Sequence, residues 1–455
     1  MTNRAWDIII IGSGLAGLSA AIEVAKNGRS VVIVEKRDTV GGNSKISGGS
    51  LAIAGSFQQK KQNISDSSNQ FTNDILNAGK INDKTLVEQL AKGSKEALQW
   101  LKTEVGVEFI EQLEKVEGHT IARIHTPKSA SGADLINPAL KRAKQLGVEI
   151  FTGCKASQIL LSDDGKVSGV AVEWTGKECA LYAQKAIILA SGGFSSDARL
   201  KVGKKNVLLQ TSCLPNTAKE GIDMAVAIGA STRDMDTYCF LPSTSNNTLD
   251  YKEDNIISSF VSFLALHRGV LINADTGKRF VNETVLREEL TSAILKIGKP
   301  VISISSQNIL EHASDELMRK IRQLDVRLIQ KFNTLEKLVS RYEIPQKALQ
   351  NTLSHYNEML ATGKDADYGK VLSQDLKAIK PPFITTCIFP KVHYTPGGLV
   401  INKKAQVLSD KGEIIPGLYA AGEVTSGIHG KSRLGGCALT DCVVFGRIAG
   451  RQASY

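Results

Sequence analysis

The chain has 455 residues, 42% hydrophobic and 22% charged, with 40 glycines; it is long for one core, ordinary for an α/β protein, and neither disordered nor fibrous in composition. Its formal charge of +10 suits an anionic ligand or a solvated basic surface, and the basic runs are short (Lys60-Lys61, Lys204-Lys205) with no nucleic-acid motif beside them, so nucleic acid is not an expected partner. Seven cysteines without a CxxC pair exclude a zinc ribbon, a redox dithiol and a c-type haem, and with no secretory signal or membrane-length apolar run the expectation is a cytoplasmic protein without an integral membrane segment.

The opening reads strand, turn, helix, strand: Asp7 to Ile11, Gly12-Ser13-Gly14-Leu15-Ala16-Gly17, a helix to about Lys26, then Ser30 to Glu35. In this βαβ unit Gly12 gives the tight turn, Gly14 lets backbone approach a pyrophosphate, and Gly17 lets the helix pack on the strand, with the helix N-terminus facing phosphate. Glu35, 18 positions after Gly17, stands where a ribose hydroxyl would be held, and its charge disfavours a 2′-phosphate. After Lys36, the pairs in Gly41-Gly42-Asn43-Ser44 and Gly48-Gly49 are two more places where backbone can approach a ligand.

The polar stretch from Gln58 to Asn73 reads as a mobile excursion, and helical patterns dominate from Leu86 to Leu146. Gln158–Leu161 and Val167–Val172 form a hairpin around Asp163-Asp164-Gly165. A buried strand, Ala186 to Ala190, runs into Ser191-Gly192-Gly193-Phe194, and a helical segment follows to about Ala230. Between about Asp236 and Lys391 the glycine clusters vanish, and Leu310 to Leu360 holds three helix-like stretches broken near Leu324 and Pro345. The glycine-rich style then returns through Pro396-Gly397-Gly398, Pro416-Gly417 and Gly422-Glu423, before a last helix from about Ala438 and Leu439. A discontinuous first domain over 1–235 and 393–455, with 236–392 inserted, is the simplest account. Glu423, just after a strand, can meet a ribityl hydroxyl, and glycine patches at both ends of the chain suit FAD better than NAD.

Taken in order, Gly12 to Gly17, Gly41-Gly42-Asn43-Ser44, Ala190-Ser191-Gly192-Gly193-Phe194, His393-Tyr394-Thr395-Pro396-Gly397-Gly398 and Gly422-Glu423-Val424 through Arg433-Leu434-Gly435-Gly436 resemble the fumarate reductase and succinate dehydrogenase flavoprotein family. Its soluble branch, the flavocytochrome c-like fumarate reductases and urocanate reductase, is the nearest match. The resemblance implies an α/β fold, a Rossmann-type (GR2-like) FAD-binding domain with an inserted α+β capping domain for the substrate. It implies FAD held by Gly12, Gly14, Ala16, Gly17, Glu35, Lys36, Gly42, Asn43, Ser44, Gly48, Gly49, Ser191, Gly192, Gly422, Glu423, Ala438 and Leu439. Membrane-complex members attach FAD to a histidine after the double glycine; Asn43, Ser44 and Lys45 stand there, so non-covalent FAD is expected.

The implied activity is hydride transfer from reduced flavin to the C=C bond of an α,β-unsaturated carboxylate. His393 and Arg433 match the family's carboxylate ligands, Arg287 its proton donor, and Arg268 lies near the place of a relay arginine. Leu264 to His267 stand where the family has a relay glutamate, so either His267 or a carboxylate such as Glu288 relays the proton, or the relay differs. Leu241, in Phe240-Leu241-Pro242, replaces a histidine of dicarboxylate-specific members and shifts the expectation toward a mono-carboxylate enoate, aromatic ones included. Without a haem motif, a second nucleotide fold or an iron–sulfur cysteine set, the chain needs an external electron donor: a redox protein, an NADH-linked subunit or free reduced flavin. Two other readings stay open at this point, a dehydrogenase or oxidase of the same fold (3-ketosteroid dehydrogenase or L-aspartate oxidase-like) and a flavin electron-transfer partner.

Overall fold

The computed structural model describes residues 5–202, 205–244, 266, 268–285, 287–312, 329–372 and 376–455. The chain divides into two compact units: Met1–Leu208, Asn216–Cys239 and Tyr394–Tyr455 form the first, Leu209–Pro215 and Phe240–His393 the second.

The first unit is built on the run Asp7 to Ile11, whose aliphatic side chains alternate to both faces. Ile8, Ile9 and Ile10 are all fully buried, as a central parallel strand requires. The strand Ala5–Ile11 pairs in parallel with Val31–Val34 on one side and Lys177–Leu189 on the other. Glu149–Phe151 extends the sheet beyond Val31–Val34, and Ile414–Ala420 extends it beyond Lys177–Leu189, both in parallel. The expected hairpin is Cys154–Leu161 with Val167–Trp174, turned at Gly165 and joined to the long strand Lys177–Leu189.

In this register Ile11 stands beside both Val34 and Leu189, and Leu189 beside Ala420. The loops that begin at Gly12, Glu35, Ala190 and Ala421 therefore leave the sheet along one edge, the edge where open α/β sheets bind ligands. The helix Leu15–Lys26 packs on the last helix, Cys437–Ala453, through small residues. A Cβ on Gly446 or Gly450 would stand 2.5 Å from the Ala16 carbonyl oxygen or 2.4 Å from that of Ala20.

Three local expectations are corrected. The polar stretch 58–73 is not an excursion but forms the helices Phe57–Lys61 and Ser68–Gly79. Ser56 and Gln59 make a reciprocal capping box, Ser67 caps the second helix, and Gln59 is buried with its amide on Asp66 and the Ala122 carbonyl, so these polar groups serve the backbone rather than solvent. The helical reading of 86–146 fails in its middle: the helix Lys84–Trp100 passes through a π-turn at Leu101–Val105, stops at Gly106, and helix resumes only at Ala133–Gln145. Before Ala230 only Glu220–Val226 is α-helical, and a hairpin, Arg199–Val202 with Lys205–Leu208, precedes it.

The second unit is an antiparallel sheet in the order Cys239–Thr244, Phe383–Tyr394, Val301–Ser306, Val270–Ile272, with Gln330–Phe332 also on Phe383–Tyr394. Strand alternation splits its core. Val270 and Ile272 join one apolar cluster with the helices Leu335–Tyr342 and Gln346–Thr362, while Leu271 faces a second cluster with the helix Arg287–Ile297. The break expected at Pro345 is there; the one near Leu324 lies outside the described residues. No helix among the described residues is long and apolar enough to cross a membrane.

Candidate functional site

The three glycines of the first loop separate by cause. Gly12 sits at φ +105° with the Ala190 carbonyl oxygen 2.3 Å from where a Cβ would be, and a Cβ on Gly17 would stand 2.0 Å from the Gly12 oxygen. Both are required by the protein's own packing. Gly14 has an ordinary φ of −64° and its nearest neighbour would be 3.6 Å from a Cβ, so nothing in the chain requires it. It leaves room for something outside the chain. Gly48 is alike, with nothing within 4 Å, whereas Gly49 closes on the Ser131 carbonyl at 2.7 Å.

Behind this loop Glu35 is buried. Its Oε2 accepts from the backbone N–H (3.0 Å) and hydroxyl (2.5 Å) of Ser13, and its Oε1 from the Arg37 N–H (2.9 Å). Ser13 Oγ in turn accepts from the Gly41 N–H, and the Leu15 N–H donates to Ser44 Oγ, which ties the second glycine loop to the first. Gly42 is held at φ +50°, Asn43 donates to Thr217, and the Lys36 ammonium is spent on Glu220 and the Asn216 carbonyl.

Two helix N-termini open here without a side-chain cap or an acidic residue in the first turn, at Gly14 and at Gly436. The N–H groups of Gly17, Ala438 and Leu439 donate to no backbone group among the described residues, while that of Ala16 faces the Cys442 sulfur. Unclaimed N–H groups at the positive end of a helix are an anion site. The buried Ser191 hydroxyl, beside Gly192 at φ +80°, has no partner among the described residues either. A dinucleotide with a pyrophosphate and many hydroxyls fits this donor set.

At Gly422 (φ +77°) the chain turns over Ala16, and Glu423 follows half-buried. One of its oxygens, Oε1, takes the backbone and hydroxyl donors of Thr395, and burial pushes the carboxyl up to about 7. Gly193 belongs to this contact: a Cβ there would meet Thr395 Oγ1 at 2.1 Å and Glu423 Oε1 at 2.4 Å, so its absence serves the protein's own side chains rather than a ligand.

Also in the first unit, the Arg433 guanidinium lies over the Tyr394 ring, 4.9 Å from its centroid. Its backbone N–H points at the Cys239 sulfur and its NH1 donates to the Leu434 carbonyl. Its buried Nε donates to nothing among the described residues, and no carboxylate there lies within ion-pair distance of it. His429 and Asp441, both buried, pair beside the same ring. Tyr394, His429, Asp441 and Thr395 were not singled out in the sequence. The run around His393 and Arg433 holds three of them, but only the fold shows that they touch.

In the second unit His393 is half-buried at the end of Phe383–Tyr394, and its Nδ1 is bonded to the Ser212 hydroxyl at 2.8 Å. The segment Leu209–Pro215 is laid along this strand, with Ser212 N on the Val392 carbonyl and Val392 N on that of Gln210. Arg287 is half-buried at the first turn of the helix Arg287–Ile297, with Glu288 exposed next to it, and Arg268 is half-buried just before the strand Val270–Ile272. A buried charge cluster joins the two segments that carry these arginines. Glu283 accepts from Arg279, from Lys370 and from the Leu271 N–H, Asp365 takes the rest of the Arg279 fork, and Lys370 also donates to the Gly269 carbonyl. Leu241 is half-buried on Cys239–Thr244, and His267 lies outside the described residues.

Comparison with known proteins bears on the whole chain. The FAD binding domain family matches residues 7–439. The chain is 32% identical over 98% of its length to a fumarate reductase (cytochrome) of Shewanella frigidimarina, of which it covers 77%. It is 32% identical, again over 98% of its length, to the acrylate reductase flavoprotein subunit of Shewanella woodyi, covering 91% of that chain. Among solved structures it is similar to the open conformation of a flavocytochrome c3 fumarate reductase, with a TM-score of 0.85, 31% identity, and 99% of this chain and 78% of that one covered.

Proposed function

Since this chain belongs to the FAD binding domain family of flavoproteins, we propose that it is an FAD-dependent reductase of the carbon–carbon double bond of α,β-unsaturated carboxylates. Bound and reduced FAD supplies the hydride. The observation that carries the reading is the state of Arg433. Among the described residues the three buried arginines each hold carboxylates: Arg123 with Asp66 and Asp74, Arg279 with Glu283 and Asp365, Arg447 with Glu23 and Glu96. Arg433, half-buried, holds none among the described residues. A partly desolvated cation without a counterion is costly, and a substrate carboxylate on its fork supplies the missing charge.

In this reading His393, its ring fixed by Ser212, is a second ligand of the carboxylate. Arg287 gives the proton to the carbon that does not receive hydride. An arginine is ordinarily charged and acts as an acid only if it is reprotonated at once; Arg268 is the relay arginine of this reading, with His267 or a carboxylate such as Glu288 behind it. The yoke through Glu283 supports the pairing, because it fixes the backbones that carry both arginines. Leu241 in place of a polar ligand favours a single carboxylate over two.

FAD is held non-covalently: at the second glycine loop Asn43 and Ser44 are committed to Thr217 and Leu15, and no histidine follows the double glycine. The first unit binds the cofactor, residues 236–392 cap the substrate, and electrons arrive in the cytoplasm from an external donor, a redox protein, an NADH-linked subunit or free reduced flavin.

The test is direct. Holoprotein reduced chemically without oxygen is mixed with acrylate, fumarate, urocanate or cinnamate, and flavin absorbance is followed. At least one enoate reoxidises it, and Arg287→Ala slows that step by about 10²–10⁴-fold, the range for loss of a general acid. Silence toward every enoate refutes the activity, and an unchanged Arg287→Ala rate refutes the proton donor.

A further inference from the structure

Arg433 is a long, flexible side chain whose only side-chain bond to the protein among the described residues is from NH1 to the Leu434 carbonyl. One bond does not orient a planar fork, and a guanidinium that binds a carboxylate bidentately must have its plane set beforehand. The structure supplies a plane. Tyr394 is 4% exposed and the Arg433 Cζ is 4.9 Å from its ring centroid, a desolvated cation–π contact.

The ring is itself held. His429, 3% exposed, meets Tyr394 edge-on, with centroids 5.2 Å apart and planes at 90°, and its Nε2 lies 3.3 Å from Asp441 Oδ2. Asp441, 1% exposed, is fixed on the helix Cys437–Ala453. Burial holds the imidazole below its usual pKa, so it braces the ring as a neutral group and adds no second cation beside Arg433. The Tyr394 hydroxyl is buried and has no partner among the described residues, so what this residue offers Arg433 is its ring face.

We propose that Tyr394 is a positioning residue of the carboxylate clamp, the platform on which the Arg433 guanidinium is set, with the His429–Asp441 pair as the brace that fixes the platform. The proposal rests on Arg433 binding the substrate carboxylate, and it adds how one chain keeps that cation aimed before any substrate arrives. His393, the other carboxylate ligand, is the residue before Tyr394, so the strand end carries one ligand and the support of the other. Because a carboxylate is held alike in ground and transition states, loss of the platform raises the half-saturating concentration and spares the maximal rate.

The experiment has two arms on the holoenzyme. In the first, phenylglyoxal modification of Arg433 is timed by peptide mass spectrometry in wild type, Tyr394→Phe and Tyr394→Leu. Removing the ring in Tyr394→Leu speeds modification at least fivefold, and Tyr394→Phe, which keeps it, restores slow modification. In the second, reoxidation of the reduced enzymes is titrated with acrylate and with fumarate. Tyr394→Leu raises half-saturation at least tenfold with the maximal rate within threefold and the FAD content unchanged, Asp441→Asn raises it severalfold, and Tyr394→Phe recovers it. Equal modification rates in all three proteins overturn the proposal, as does a Tyr394→Phe loss as large as that of Tyr394→Leu, or a loss of bound FAD that accounts for the kinetic change. If wild type is reoxidised by no enoate, urocanate and cinnamate included, while the modification arm responds, the platform stands and the reductase reading falls.

Discussion

Glu423 takes both donors of Thr395, the backbone N–H at 3.0 Å and the hydroxyl at 3.2 Å, on a single carboxylate oxygen. Two hydrogen bonds favour the charged form, yet burial outweighs them and lifts the carboxyl from its usual 4.5 to about 7. The folded apoprotein therefore binds a proton that the unfolded chain has released. Its stability falls as pH rises from about 4.5 to about 7, and the loss is complete above that window. Glu423→Gln cannot titrate, so melting temperatures of its apoprotein lack this decline. An equal decline in the variant would place its origin elsewhere.

Buried histidines act in the opposite sense. His125 is fully buried, its ring nitrogens on the Arg123 carbonyl and the Ser56 hydroxyl, and burial brings it from 6.5 down to about 4. His119 and His429 are lowered for the same reason. The unfolded chain gains these protons first, so the contribution is whole above pH 6.5 and drains as pH falls toward about 4. In a Glu423→Gln background this limb is no longer offset by Glu423 between about pH 4.5 and 6.5, and adding His125→Gln makes it shallower there. A limb of unchanged steepness in circular dichroism melts would contradict this account.

The glycines of the first loop should separate fold from cofactor. Gly17→Ala places a methyl 2.0 Å from the Gly12 oxygen and costs about 1–3 kcal/mol of apoprotein stability. Gly14→Ala meets nothing nearer than 3.6 Å, so the apoprotein melts as wild type while flavin retained after desalting drops at least tenfold. Retention of full flavin by Gly14→Ala would remove the reason given for that glycine.

In the second unit Arg279 answers both Glu283 and Asp365, which are fully buried as side chains. Arg279→Met strands two carboxylates with only Lys370 between them and destabilises the protein by about 3–5 kcal/mol, the cost of breaking a buried pair. Chemical denaturation measures it, and a change under about 1 kcal/mol would show that the cluster relaxes or hydrates.

Leu241 bears on which acid is reduced. Leu241→His adds a polar ligand and raises the fumarate-to-acrylate ratio of reoxidation rates by roughly tenfold or more, the worth of one hydrogen bond to a charged group. A ratio that stays put would mean that the second carboxylate is selected by other residues.

Much of the first unit was legible because its signals are local. A fully aliphatic strand, a positive-φ turn and an uncapped helix start are written in contiguous residues, so Gly12 to Gly17, Glu35 and the helix after Gly436 could be placed from the sequence. Gly14 was placed from spacing, and of the three glycines it is the one that no packing contact among the described residues requires. Polar residues misled where they were not solvated. Gln58 and Gln59 read as surface and are buried; for Gln59, capping and long-range amide bonds give partners that composition cannot show.

What only the tertiary structure decided is which groups answer one another. Ser212 fixes His393 from 181 positions away, Thr395 answers Glu423, and Tyr394 underlies Arg433 with His429 and Asp441 behind it. Sequence fixes backbone conformation through short-range sterics and hydrophobic period, and so it determined the nucleotide-binding frame. The state of a side chain, whether its charge is matched, its ring supported or its proton retained, depends on neighbours the fold brings within a few ångströms. For that reason Arg433, named from its motif, became an unmatched cation on an aromatic platform only in three dimensions.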